Sequence, residues 1–150
     1  MTHQKTIKSL ITPYIGEETK ILPKFLHWLL TDPKYGTINQ TKDKKSIKAI
    51  QGVIDLYKDW LDTGIKPSKE IWLKAKDAAT ATVYAYAAAA ASAAANAAAA
   101  SAAANAAYAA NAAVDAAAYA SADANAGIPR SEVEKAQLDK INELTSQDEL

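Results

Sequence analysis

Residues 75–126 decide the fold and read AKDAATATVYAYAAAAASAAANAAAASAAANAAYAANAAVDAAAYASADANA. Alanine occupies 33 of these 52 positions, and the segment contains neither Gly nor Pro. Alanine has the highest intrinsic helix propensity and loses no side-chain entropy when it is buried. The segment therefore predicts α-helix, and a single straight helix over 69–125 would be about 85 Å long at 1.5 Å per residue.

The polar residues of this segment indicate that it is broken into several helices. One group recurs at helical spacing and shares a face: Ser101, Asn105, Tyr108, Asn111, Asp115 and Tyr119. Ser92 and Asn96 would lie opposite this group on an unbroken helix, so the buried face or the chain direction changes between 96 and 101. Asn tolerates left-handed geometry, which makes Asn96 or Asn105 a candidate turn residue. We expect two or three helices side by side, with methyl side chains that allow close approach of their backbones.

The rest of the chain is divided into shorter helices by Gly and Pro. We expect helices at 1–12, 17–30 and 43–62, of which the last has its apolar residues in one stripe at helical period. Asp43 is suited to cap its start and Gly64 to end it in left-handed geometry. Near the end of the chain, a capping box is predicted by Ser131 and Glu134, at the start of a helix over 132–146.

These patterns predict an all-α fold, a compact bundle of about five to six helices with closely packed Ala-rich helices. We expect one helical domain over 1–150, which comprises a Lys-rich helical part at 1–66, Ala-rich helices at 67–126 and a C-terminal helix at 127–150. Polar residues interrupt every window of about 18 residues in the alanine segment, which argues against a membrane span. With no Cys and no apolar leader, we expect a cytoplasmic protein.

The balanced net charge hides an asymmetry between the two halves. Residues 1–76 carry 14 Lys against 8 acidic residues, and residues 77–150 carry 3 basic residues against 9 acidic ones. Such a chain is able to orient head-to-tail against a partner or another copy of itself. The alternative is that two solvated faces differ in sign, and the sequence leaves both interpretations open.

No residue pattern points to catalysis, a metal or a cofactor. The chain has no phosphate-binding glycine loop, and His3 and His27 stand 24 residues apart without metal-ligand spacing. Glu17 and Glu18 are better explained as a favourable helix start than as a general acid and base. We therefore expect a protein that is not an enzyme.

Two sets of residues are candidates for binding a ligand or partner. The first is a group of lysines near the start of the third predicted helix: Lys42, Lys44, Lys45 and Lys48. The second is a group of tyrosines in the alanine background: Tyr84, Tyr86, Tyr108 and Tyr119. Lysines bind phosphates, and a rigid Tyr ring with its hydroxyl is a good contact residue. The alternatives are a solvated lysine face and rings that fill gaps between helices. Nucleic acid is disfavoured as a partner, since the lysine group contains no Arg and no recognised motif.

Three motifs together resemble a family of small immunity proteins that are encoded in bacterial toxin loci and have relatives in phage genomes. They are ILPKF at 21–25 with Asp32-Pro33, DKKSIKAI at 43–50 leading to WLDTG at 60–64, and the alanine segment punctuated by Tyr, Asn and Asp. The resemblance covers roughly residues 20–126. The chain departs from the family pattern at 45–47, where Lys, Ser and Ile replace the usual Arg, Pro and Arg.

The resemblance implies a non-catalytic binding protein that neutralises a protein toxin or effector. One alternative is a phage or mobile-element anti-defence protein that sequesters a phosphorylated nucleotide signal. Another is a structural helical oligomer, in which Ala faces of several copies pack together.

Overall fold

The computed structural model describes residues 7, 9–14, 20–81, 86–100, 103–123 and 128–148. Within these ranges the chain forms seven α-helices and no strand, so the predicted all-α bundle is confirmed with one helix more than expected. The helices are α1 (residues 7 and 9–11), α2 (Ile21–Thr31), α3 (Lys44–Thr63), α4 (Lys69–Thr80), α5 (Tyr86–Ala99), α6 (Ala103–Asp123) and α7 (Arg130–Asp148). Two 3₁₀ turns, Thr12–Tyr14 and Thr37–Asn39, complete the described secondary structure.

Both ends of α3 are built as the sequence predicts. The Asp43 side chain accepts a hydrogen bond from the Ser46 backbone N–H at 2.9 Å and another from the Ser46 hydroxyl at 2.8 Å. Gly64 ends the helix at φ 74°, a left-handed conformation that only glycine adopts without strain. The sequence therefore places this helix to within one or two residues.

The alanine segment divides into α4, α5 and α6, which confirms the prediction of two or three helices. The predicted turn residues are wrong, since Asn96 lies inside α5 and Asn105 lies inside α6. Asn96 instead continues the helix, because its carbonyl accepts a hydrogen bond from the Ala100 N–H at 3.0 Å. Among the described residues, no helix is long and apolar enough to cross a membrane.

Helix α5 lies between α4 and α6 and packs most extensively against α6. Its alanines are buried on several sides: Ala87, Ala88, Ala90, Ala91, Ala94, Ala95, Ala97, Ala98 and Ala99. Since each side chain is a single methyl group, the neighbouring helices contact the α5 backbone closely. Only a narrow strip of α5, which includes Ala89 and Asn96, remains exposed between its neighbours.

The lysine-rich and alanine-rich parts of the chain meet around three aromatic rings. Tyr57 contacts Trp72 with ring centroids 4.7 Å apart, and Trp60 lies within 5.9 Å of Tyr57 and 6.2 Å of Trp72. The Lys66 ammonium lies 5.5 Å from the Trp60 ring and donates a hydrogen bond of 2.9 Å to the Ala98 carbonyl. These contacts hold α3 and α4 against α5.

Helix α7 covers α2 and α6, and its start differs from the prediction. It begins at Arg130, because the Pro129 carbonyl already accepts a hydrogen bond from Glu132 N–H at 3.0 Å. The predicted capping box is therefore wrong: Ser131 lies inside the helix, and Glu134 pairs with Arg130 at 3.3 Å. Further along α7, the buried Gln137 amide donates to the Val114 carbonyl of α6 at 3.1 Å.

Candidate functional site

The four predicted lysines form an exposed group at the start of α3. Lys44, Lys45 and Lys48 lie within its first turns, and Lys42 precedes the Asp43 cap. We call Lys42, Lys44, Lys45 and Lys48 the basic patch. Within the described part of the chain, none of these lysines forms a salt bridge. The Ser46 hydroxyl and N–H hold the pKa of the Asp43 carboxyl below its ordinary value, so the cap is ionised beside the patch.

The tyrosines of the alanine segment do not fill gaps between helices where the structure describes them. Tyr86, Tyr108 and Tyr119 are 49%, 72% and 42% exposed. Tyr86 begins α5 and stacks on Tyr119 near the end of α6, with ring centroids 5.4 Å apart. Tyr84 lies outside the described residues. The exposure of the three described rings therefore favours the interpretation that they are available to contact a ligand or partner. It disfavours the alternative that they fill gaps between helices.

Arg130 completes the cluster at this end of α6. Its guanidinium carbon lies 4.1 Å from the centre of the Tyr119 ring, in a cation–π contact. Its Nη2 atom is 2.7 Å from the Asp115 carboxylate, and its Nε atom is 3.3 Å from Glu134. The guanidinium is therefore fixed by one ring and two carboxylates, and it joins α7 to the tyrosine pair.

The three described tyrosines belong to one surface, which we call the tyrosine face. Tyr108 and Tyr119 are eleven residues apart in α6, which is close to three helical turns, so their side chains leave the helix in nearly the same direction. The rise between them is about 16 Å at 1.5 Å per residue. The exposed strip of α5 runs beside them, and Tyr86 stands at its beginning.

A polar cleft opens at the Tyr108 end of this face. It has a volume of about 320 Å³ and is lined by three helices. The lining residues are Lys69 and Leu73 of α4, Asn96 and Ala99 of α5, Ala100 that follows it, and Asn105, Tyr108 and Ala109 of α6. Of the predicted binding residues that the structure describes, Tyr108 alone lines the cleft. The sequence did not predict Asn96 and Asn105 as site residues, although both are polar residues in an alanine background. Their proximity to Lys69 depends on how the helices turn back.

The described residues that line the cleft include no His, Asp or Glu side chain. His27 is half-buried on α2, and its pKa is lowered, first by burial and then by the Lys58 ammonium, while Asp62 acts in the opposite direction. Among the described residues, no set of three or more His, Asp or Glu side chains is arranged to hold a metal ion. The cleft and the tyrosine face therefore offer recognition groups: an ammonium, amides and rings.

No family model matches the chain, and neither a curated protein nor a solved structure is significantly similar to it. The resemblance to immunity proteins stays a prediction that depends on the motifs at 21–25, 43–50 and 60–64.

Proposed function

We propose that this chain is a non-catalytic binding protein of the immunity or inhibitor kind, which neutralises a protein toxin or effector by covering it. The observation that carries this proposal is the tyrosine face, with Tyr108 at 72% exposure and the Tyr86–Tyr119 pair at the other end. Interfaces are enriched in Tyr. Its ring supplies a large contact area, and because the side chain is rigid it loses little conformational entropy on binding.

We expect a partner helix or loop to lie along the tyrosine face. The centre of the face is the exposed strip of α5, which includes Ala89 and Asn96, and α4 and α6 are the helices packed on either side of α5. The rings at 108 and 119 stand about 16 Å apart along one edge, so a single partner segment of three helical turns is able to contact both. Contacts of this kind anchor partners through a few large residues.

The basic patch supports the same function through a different effect. Four lysines without salt bridges to the described residues create a positive potential at the start of α3. Such a potential accelerates the approach of an acidic partner and makes association sensitive to salt. The patch and the tyrosine face lie on different helices, so we assign the first to steering and the second to affinity.

Co-expression with the toxin or effector encoded next to this chain tests the proposal. We expect the chain to restore growth, and we expect calorimetry with a catalytically inactive toxin to give a tight complex. Tyr108→Ala should weaken the complex by about tenfold or more, as removal of an interface anchor does. Tyr108→Phe should retain most of the affinity, because it keeps the ring.

Lys24→Ala is the matched control, since Lys24 is exposed on α2, away from the tyrosine face. The proposal is wrong if no neighbouring toxin or effector is bound or neutralised, or if Lys24→Ala weakens the complex as much as Tyr108→Ala does. A large closed assembly formed by the chain alone, with the tyrosines buried in it, would instead support a structural oligomer.

A further inference from the structure

The polar cleft exists because alanine leaves space where larger side chains would close the gap between helices. Its apolar surface consists of Ala99, Ala100, Ala109 and the side chain of Leu73. Helix α4 runs antiparallel to α5, since Lys69 lies near Ala100 while Thr80 bonds to Ser92 at 2.8 Å. The same end of the bundle therefore receives the start of α4, the end of α5 and the start of α6.

Three polar side chains converge on the cleft from three different helices. They are the Lys69 ammonium of α4, the Asn96 amide of α5 and the Asn105 amide of α6. Within the described part of the chain, none of the three forms a hydrogen bond or an ion pair. Donors that are brought together in this way without internal partners are available to a ligand.

The charge of the cleft selects the class of ligand. Lys69 is the only charged residue among the described residues that line it, so no carboxylate neutralises the ammonium from inside the cleft. Lys66 lies nearby, at 2.9 Å from the carbonyl of Ala98, and adds to the positive potential. An oxyanion is therefore attracted to the cleft, and the two amides are suited to donate hydrogen bonds to its oxygens.

The apolar residues that line the cleft determine which chemical group the ligand carries beside its oxyanion. Tyr108 lines the cleft, and its apolar lining residues are Leu73 and three alanines. A flat apolar group gains contact with both, through ring stacking and through burial of its surface. A volume of about 320 Å³ limits the occupant to a small molecule.

We propose that the polar cleft binds a small ligand with a phosphate or carboxylate group beside a planar apolar ring, held by Lys69, Asn96 and Asn105 and stacked on Tyr108. This binding does not depend on the protein partner proposed above. The described residues that line the cleft include no carboxylate and no histidine.

Calorimetric titration of the full chain with three probes tests the proposal. The probes are adenosine monophosphate, benzoate and adenosine, which supply a phosphate with a ring, a carboxylate with a ring, and a ring alone. We expect one of the two anions to bind at least about tenfold more tightly than adenosine. Each bound anion should also raise the melting temperature.

Two lysine variants separate binding in the cleft from general attraction of an anion to exposed lysines. Lys69→Gln should weaken anion binding about tenfold or more, with an unchanged circular-dichroism spectrum because Lys69 is exposed. Lys24→Gln removes an exposed lysine of α2, outside both the cleft and the basic patch, and should leave the affinity unchanged. The proposal is overturned if neither anion binds at millimolar concentration, or if the two lysine variants weaken binding equally. It is also overturned if adenosine binds as tightly as the anions.

Discussion

The hydroxyl of Tyr57 donates a hydrogen bond of 2.6 Å to the carbonyl oxygen of Ala94, inside the buried contact between α3 and α5. The ring itself is fully buried against Trp72. Burial raises the pKa of the hydroxyl well above its ordinary value, so it stays protonated and acts as a donor throughout the physiological range. One bond thus links the most regular amphipathic helix to the middle of the alanine segment.

Tyr57→Phe should destabilise the protein by about 1 kcal/mol, because it removes this hydrogen bond and keeps the ring packing. Chemical denaturation followed by circular dichroism measures the change. Tyr108→Phe is the control: Tyr108 is mostly exposed, so its effect should stay within about 0.5 kcal/mol. Equal stability of the wild type and Tyr57→Phe would show that the bond contributes nothing.

Close packing of α5 makes a second prediction. Ala91→Leu adds three carbon atoms at a fully buried position and should cost about 1–3 kcal/mol through overpacking. Ala89→Leu makes the same change on the exposed strip of the same helix and should be nearly neutral. The contrast in unfolding free energy between the two variants is the measurement. If Ala91→Leu were as stable as Ala89→Leu, the neighbouring helices would not lie against the α5 backbone.

The position of Arg130 makes a third prediction. Arg130→Lys keeps the charge but loses the planar stack on Tyr119 and the paired donors to Asp115 and Glu134. These groups are partly exposed, so we expect a loss of only about 1 kcal/mol, measured by thermal unfolding. Lys135→Arg on the exposed side of α7 is the control and should be neutral. A double-mutant cycle with Tyr119→Leu isolates the ring contact, and a coupling energy of zero would exclude it.

His27 makes stability depend on pH. Burial and Lys58 lower its pKa in the folded state below the ordinary value of 6.5, so the unfolded state binds the proton more readily. Stability is therefore complete above pH 6.5 and decreases as the pH falls from there to the lowered pKa. Unfolding free energies at pH 7.5 and near pH 5.5 should differ in the wild type and differ less in His27→Gln.

Two other groups begin to contribute only at lower pH. The pKa of Glu132 is lowered by hydrogen bonds from Tyr35 and Lys34, and that of Asp43 by Ser46, from ordinary values of 4.5 and 3.8. An identical pH dependence in His27→Gln and the wild type would contradict the role of His27.

The candidate site was less predictable than the helices. Tyr108 and Tyr119 could be placed on one face from their spacing alone, since both lie in one uninterrupted helix. The proximity of Lys69 and Asn105 could not be predicted from their spacing in the sequence. They lie 36 positions apart in different helices, and no local pattern encodes a contact at that separation.

By itself, the sequence determined the helical state of nearly all the described chain and the ends of α3 to within one or two residues. Helix propensity, the Asp43 cap and the left-handed Gly64 act within a few residues, so the local sequence is enough to predict them. Only the tertiary structure decided where the alanine segment turns and which polar groups share the cleft. Methyl side chains are nearly interchangeable, so the placement of α4 and α5 depends on a few large residues. Tyr57 of α3 is one of them, since it bonds to Ala94 of α5 and packs against Trp72 of α4.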